Sequence, residues 1–540
     1  MPRTRGRRRP PVRLRPLQFE GLALRVAAAP ADLRARLAEA RRVARAIGLA
    51  WRAVPIAERA QTVLLLPPSG ARGPTVARAW ELAHRLRAHR DVLAAEPAFV
   101  MPGEGRMARR AAAAADACDV PGPAGTDDCG WSLAMCAVPQ AWSLAPDPDG
   151  AALGQGVVVA HPDTGWTPHP ELANTAVDAT GAYDFVAGRP GALDPLDPPN
   201  AGHGTSTASV IASDANVSGD ACVTGVAPLA TIMPLRVSSS VVHFSWLRLT
   251  AALWHALAQQ AHVVSMSLGG PLPSFALEEA IEASIDEDLI LVAAAGNHWP
   301  FVVYPARYDE VIACAAVDIA GQRWSGSASG PAVDVCAPGA SVWRACATRR
   351  GFGVGRSSGT SYATAEVAGL AALWLAFHGR AALVAKYGRG GVPAVFKELL
   401  AATATGGLAW PDDVLGAGIA NAAALLAAPL PARAHAAGMH VRAGRRSMTV
   451  NPFDRLAGYF PGVDPDRLRA WLARGFGVPS AAVASLLSTL GDEVAFHLTA
   501  DPAVHASVAA SLARRAAVPV AARAAFRRAS PTLRRALARG

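Results

Sequence analysis

The chain has 540 residues, more than a single hydrophobic core usually organises, so roughly two to four structural units are expected. Apolar residues make up 51%, which excludes a mainly disordered chain; charged residues make up only 17%, against about 25% in an average globular protein, and this points to large buried surfaces. The formal charge of +10 sits at the two ends: residues 1–16 carry seven Arg and no acid, residues 511–540 carry eight Arg and no acid, and everything between them sums to about −5.

Lys stands only at positions 386 and 397 beside 50 Arg, a bias that with abundant Ala reads as base composition. The Arg-rich ends are therefore read as solvated tails, and nucleic acid is not an expected partner. The longest apolar run in a predicted helix, Val367 to Phe377, is 11 residues, whereas a bilayer needs about 20, so no transmembrane span is expected. Behind the basic start MPRTRGRRRPPVRLRP the only apolar candidate is interrupted by Arg25, so no secretory signal is read.

In chain order, residues 1–17 read as a basic arm and 18–103 as a small α+β domain. The latter has amphipathic helices predicted over Ala31–Ile47 and Thr75–His89 and short strands over Thr62–Leu66 and Val92–Val100. Residues 104–130 are a Gly/Pro/Ala-rich linker of the kind proteases cut. Between 131 and 428, apolar strands alternate with Ala/Leu-rich helices. The strands are Val157–Ala160, Thr231–Val237, Val263–Ser267, Leu289–Ala294 and Val311–Val317; the helices are Ser206–Ala212, Trp246–Gln260, Leu277–Glu282 and Tyr362–Phe377. Strands apolar throughout and interleaved with helices predict an α/β fold, a parallel sheet covered on both faces. Residues 429–540 read as a helical region of unknown role, with amphipathic helices over Asp464–Phe476 and Ser480–Leu490. Of the seven Cys, Cys118, Cys129 and Cys136 cluster and could pair, but the count is no disulfide framework.

Four short blocks pair a reactive side chain with glycine at an element end. Asp163-Thr-Gly165 follows an apolar strand, where an acid is also a common turn or cap residue. Gly202-His203-Gly204 opens a helix; the flanking glycines let backbone approach a ligand, though a His there can equally be structural. Gly296-Asn297 ends a buried strand, as a turn or as an amide donor to a developing oxyanion. Ser361, after Gly359-Thr360, starts an apolar helix, as an N-cap or as a nucleophile at the positive end of the helix dipole.

Together, in the order Asp163, His203, Asn297, Ser361, these blocks resemble the subtilisin-like serine peptidases over about 300 residues. Further segments fall in family order: Pro139-Gln-Ala-Trp142, Gly225-Val-Ala-Pro228, Ser265-Met-Ser-Leu-Gly-Gly270, Tyr304-Pro-Ala306 and Gly416-Ala-Gly-Ile-Ala-Asn421. The resemblance implies a subtilisin-like fold and acyl transfer by a triad of Ser361, His203 and Asp163, with Asn297 in the oxyanion hole. It implies substrate-pocket walls from Ser267, Leu268, Gly269, Gly270, Ala294, Ala295 and Gly296, whose small residues leave room for substrate. Val303 is taken as the pocket floor, favouring small or medium apolar side chains. The substrate is a protein or peptide, and no cofactor is required. Calcium is common in the family; Asp147, Asp149, Asp178, Asp184, Asp194 and Asp197 offer oxygens, but no recognisable calcium spacing appears and no metal site is assigned. Residues 18–103 occupy the place of an inhibitory propeptide, with Val92–Val100 lying in the cleft like substrate and a self-inflicted cut within 100–130. The family resemblance favours export, whereas the missing signal favours the cytoplasm.

Two departures stand out. Ala365 and Glu366 replace the family's Pro and His after the nucleophile, with Glu366 expected to face away from the reacting centre. His161-Pro162 replaces aliphatic residues before Asp163. Gly355-Arg-Ser357-Ser-Gly359 also fits a nucleophile elbow, but 351–356 reads as a poor strand and this reading leaves Asp163, His203 and Asn297 unused. A subtilisin-fold scaffold with catalysis lost or masked is the rival from another class.

Overall fold

The computed structural model describes residues 17–27, 32–100, 118–214, 223–406, 414–433 and 451–538. The basic arm, most of the 104–130 linker and the expected cleavage region up to residue 117 lie outside them.

The first unit runs β1 (Gln18–Val26), helix Leu33–Ala46, β2 (Arg52–Pro55), β3 (Val63–Leu66), helix Val76–Arg87 and β4 (Val92–Val100). Its antiparallel sheet has the order β2-β3-β1-β4, a split βαβ arrangement. Both helices start where the sequence supplies an oxygen cap: Asp32 accepts from the Ala35 N–H at 2.8 Å and Thr75 from the Arg78 N–H at 3.3 Å. Leu22, Leu24 and Val26 of β1 meet Val43, Leu82 and Leu86 of the helices in one core. Strand β4 is the edge of this sheet. Its residues hydrogen-bond to β1, and Glu96 accepts from Ser274 and from the Phe275 N–H at the start of helix Phe275–Asp286.

The central unit is an eight-stranded sheet in the order β12-β11-β10-β9-β5-β8-β6-β7, formed by β5 (Val158–Asp163), β6 (Tyr183–Asp184), β7 (Arg189–Pro190), β8 (Thr231–Arg236), β9 (Val263–Met266), β10 (Ile290–Ala294), β11 (Ile312–Val317) and β12 (Val335–Pro338). Every pairing is parallel except that of the short edge strand β7 with β6. Strands β9, β10 and β11 are buried along their whole length, as a sheet covered on both faces requires. A separate hairpin joins β13 (Val342–Thr348) to β14 (Gly351–Ser357). Residues 351–357 are thus a strand after all, held by antiparallel pairing that glycine spacing hides. Ser357 is the last residue of that strand, paired with Val342 in the hairpin, and the helix begins at Thr360.

Helix Thr360–His378 is buried over all 19 residues and crosses β5, β9, β10, β11 and β12. A helix apolar on every side has no amphipathic stripe and belongs inside a core. The last unit contains helices Pro452–Ala457, Pro465–Phe476, Val483–Thr499, Pro502–Ala513, Val520–Arg527 and Pro531–Ala538. Three of them begin with a capping Asn451, Asp464 or Asp501 followed by Pro at the first helical position. Among the described residues no single helix is long and apolar enough to cross a membrane. A disulfide joins Cys118 to Cys346 on β13, so Cys118 does not pair within its own cluster; Cys136 is a buried thiol.

Inside this core sits one misfit, Glu366, fully buried and facing Ser132 and Cys136, away from the site described below. Neither carboxyl oxygen makes a well-formed hydrogen bond. Burial pushes the carboxyl up to about 8, offset in part by the nearby Ser132 hydroxyl. In the unfolded chain the group ionises near 4.5, so between the two values the folded state holds a proton that the unfolded state releases. Its contribution to stability is therefore complete below 4.5 and lost as pH rises through about 8, at about 1.4 kcal/mol per pH unit. Urea unfolding of a Ser361→Ala chain between pH 6 and 9 is expected to show this decline, and Glu366→Gln to flatten it. An unchanged slope in Glu366→Gln would contradict the assignment.

Candidate active site

The site forms where strands β5 and β10 end and helices His203–Ala212 and Thr360–His378 begin, the carboxyl edge where parallel sheets present their ligands. Asp163 is the last residue of β5 and is 2% exposed. Its Oδ1 and Oδ2 face His203 Nδ1 at 2.8 and 3.0 Å, and Oδ1 also accepts from the Thr164 N–H at 2.7 Å. Burial alone would raise this carboxyl, but the His203 charge and hydrogen bonds and the Thr164 N–H reverse the sign and hold it below the usual range. With Nδ1–H given to Asp163, the Nε2 of His203 is left as an acceptor.

Glycine makes the His203 position possible. Gly202 has φ +70°, and a Cβ on Gly204 would lie 2.0 Å from the Gly165 carbonyl. Thr164 and Asp194 then stitch strand to helix. The Thr164 hydroxyl donates to Asp194 at 2.6 Å and accepts from the Gly204 N–H at 3.1 Å, while Asp194 also accepts from the Gly202 N–H at 3.0 Å. Sequence reading treated Asp194 only as a calcium oxygen; the Asp-Thr-Gly block held the signal for the Thr164 link.

On the other side, Asn297 Oδ1 accepts from the Thr360 N–H at 2.9 Å and from the Thr360 hydroxyl at 2.8 Å. A backbone N–H can only donate, so the amide orientation is fixed and Nδ2 is turned toward Gly359, where a Cβ would approach it to 3.1 Å. Ser361, 4% exposed, follows in the first turn. Its hydroxyl donates to the Ser267 carbonyl at 3.4 Å, and the Ser267 hydroxyl donates back to the Ser361 carbonyl at 2.9 Å.

The remaining candidates surround this point. Gly269 and Gly270 do not leave open space: Gly269 is bonded to Val241 and His243, Gly270 to Tyr304, and Cβ atoms on them would strike Val303 Cγ2 at 2.3 Å and the His243 carbonyl at 1.9 Å. Val303, 1% exposed, donates its N–H to the Ala295 carbonyl and lies against Gly296 as well. Leu268, Ala294 and Ala295 are buried beside it. The room that small residues create is thus largely filled by the Val303 methyls. Besides Asp194, four of the six candidate calcium aspartates have other partners: Asp184 has Arg236, Asp147 has His378, Asp197 has Arg349, and Asp178 accepts from the Thr180 and Gly181 N–H groups. Among the described residues no group of three His, Cys, Asp or Glu is arranged to hold a metal.

A second layer lies behind Asp163. His161 is buried, with Nε2 2.9 Å from the Thr207 hydroxyl and 3.9 Å from Asp163 Oδ2. Thr207 Oγ1 is also within reach of the His203 and Gly204 carbonyls at 3.1 and 3.3 Å and of Asp163 Oδ2 at 3.5 Å. A hydroxyl has one hydrogen, which these acceptors claim, so its lone pair accepts from His161 Nε2–H. Burial lowers the His161 pKa and keeps the ring neutral, with the Asp163 charge opposing. The neutral ring thus gives its N–H to Thr207, which in turn lies within 3.5 Å of Asp163 Oδ2.

The chain matches the model of the subtilase family over residues 154–421. It is 36% identical over 246 residues to thermitase from Thermoactinomyces vulgaris, covering 45% of this chain and 81% of that one. It is 37% identical over 221 residues to subtilisin Savinase from Lederbergia lenta, covering 41% and 76%. With subtilisin E from Bacillus subtilis it shares 36% over 233 residues, 42% of this chain and 57% of the relative. The crystal structure of fervidolysin from Fervidobacterium pennivorans superposes with a TM-score of 0.56 at 21% identity, over 78% of this chain and 63% of that one, a likeness of fold.

Proposed function

The chain belongs to the subtilase family and is a subtilisin-like serine protease, and on that premise we propose that it is an endopeptidase working through Ser361, His203 and Asp163, made as a self-processed zymogen. The observation that carries this reading is the buried Asp163 carboxylate with both oxygens on His203 Nδ1–H, next to a helix start that presents Ser361 and an Asn297 amide fixed by Thr360. In the proposed cycle the Ser361 hydroxyl turns from the Ser267 carbonyl to His203 Nε2, which takes its proton as Oγ attacks the peptide carbonyl. Asp163 holds the tautomer and stabilises the imidazolium. The carbonyl oxygen, now negative, is met by Asn297 Nδ2 and the Ser361 N–H at the positive end of a buried helix. His203 then protonates the leaving amine, an acyl-enzyme remains on Ser361, and water, deprotonated by His203, releases the acid and regenerates the serine.

The four-stranded unit of residues 18–100 is proposed as the inhibitory propeptide. Supporting this, it docks on the helices next to the site through Arg25 and Thr62 to Glu279, Glu20 to Arg248, and Glu96 to Ser274. The Cys118–Cys346 disulfide supports an oxidising compartment and hence export.

Two measurements test the reading. After incubation, intact mass of the wild type is expected to reveal a cut within 100–130 while Ser361→Ala stays full length; equal masses would favour a masked or scaffold role. In kcat/KM, the wild type is expected to prefer small residues before the scissile bond, because Val303 fills the pocket between Gly269 and Gly296. Val303→Gly is expected to raise the Phe-to-Ala ratio by about tenfold or more. An unchanged ratio would remove Val303 from the pocket.

A further inference from the structure

The six C-terminal helices touch both other units at once. On the central unit, Tyr459 lies edge-on to Phe301 at 5.0 Å and beneath the Arg307 guanidinium at 4.5 Å, His505 packs on Phe301 at 5.2 Å, and Arg307 donates to the Arg455 carbonyl at 2.8 Å. On the first unit, Phe496 joins Trp80 and Phe99 in an aromatic cluster with ring centroids 5.8 and 5.6 Å apart. Beside it Glu493, fully buried, accepts from His84 Nε2 at 2.7 Å and from the Ser530 N–H and hydroxyl at 2.7 and 2.8 Å, with His497 Nε2 at 3.4 Å. Burial would raise this carboxyl, but His497, His84 and the Ser530 N–H bring it down to about 2. At the rim, Glu81 accepts from the Thr532 N–H at 2.9 Å, and Arg87 pairs with Asp492 at 2.9 Å.

These two faces of the first unit differ in kind. Toward the central unit it offers ion pairs, capping carboxylates and a small apolar contact through Ala60, Ile56 and Ala57, and pairs such as Arg59 with Glu287 are exposed enough to contribute little. Toward the C-terminal helices it offers the Trp80 and Phe99 rings around Phe496, and His84 as partner of the buried Glu493. Burying rings such as Trp80 and Phe99 is what anchors interfaces. Removing His84 would strip Glu493 of one of its donors inside a core, a loss that buried pairs resist.

We infer that the C-terminal helical region is a binding surface for the chain's own N-terminal domain, holding residues 18–100 in place after the connection to residue 118 is cut. Processing then yields a two-fragment complex rather than a free peptidase. The first unit is gripped from two sides, so a single loosened contact leaves it at high effective concentration. Full release requires the C-terminal helices to let go as well.

This rests on the processing proposed above, and its test avoids depending on it. A recognition sequence for a site-specific protease is inserted between residues 104 and 116 of a full-length Ser361→Ala chain, which is cut and passed over a sizing column. The N-terminal fragment is expected to elute with the remainder. Phe496→Ala on one side of the interface, and separately Trp80→Ala or His84→Leu on the other, are expected to weaken retention about thirtyfold or more while the melting of the central unit is unchanged. A fragment that elutes alone from the cut Ser361→Ala chain, or variants that retain it as tightly, would overturn the inference. If the wild type never cuts itself yet the inserted cut leaves a retained complex, the processing reading fails and the binding surface stands.

Discussion

The hydrogen bonds from Thr360 to Asn297 are the constraint on which the rest of the site depends. They join the end of a central strand to the start of a helix buried over all its 19 residues. One of them involves a group that can only donate, so the amide has a single orientation, and the helix start and the nucleophile candidate are fixed with it. The surrounding packing makes this start immovable: a helix that crosses five strands cannot slide without opening the core. Asp163 ends β5, two strands away from β10, and His203 opens the helix packed against this one, so the site side chains are positioned by separate elements that share one sheet edge.

Three buried carboxyls, Asp163, Glu493 and Glu366, contrast with one another. Asp163 and Glu493 are each satisfied by several donors and stay ionised, while Glu366 has no comparable set and is held toward its neutral form. The first two lie where elements of different origin must be brought together, strand to helix and domain to domain. A carboxylate collecting donors from several elements costs desolvation and returns a unique geometry. Glu366 joins nothing of this kind, and the structure offers no account of why a carboxyl stands there.

The sequence revealed strands and helices whose stability is local or wholly apolar. Strands β5, β8, β9, β10 and β11 fall within a residue or two of their expected places, apart from the extension of β5 to Asp163. What escaped depends on partners distant in sequence. Strand β1, with Glu20 and Gly21 in its middle, is a strand because β3 and β4 flank it, and the glycine-rich β14 because β13 does. In the site, Asp163, His203, Asn297 and Ser361 were legible as blocks, since each needs glycine or a helix start next to it. Val303 was placed at the pocket by the resemblance, but its filling of the space between Gly269 and Gly296 and the Thr207–His161 layer were not legible, because nothing local marks a side chain that will lie behind a carboxylate or between two glycines. The disulfide partner of Cys118 lies 228 residues away, beyond any spacing argument.

The central claim is that Ser361, and no other serine, is activated at this edge. It is tested most directly by treating the protein with an alkyl fluorophosphonate and mapping the adduct by peptide mass spectrometry. The account gives one adduct per chain, on Ser361, with labelling slowed severely by His203→Ala. Stoichiometric labelling elsewhere, or equal labelling of Ser361 without His203, would contradict it.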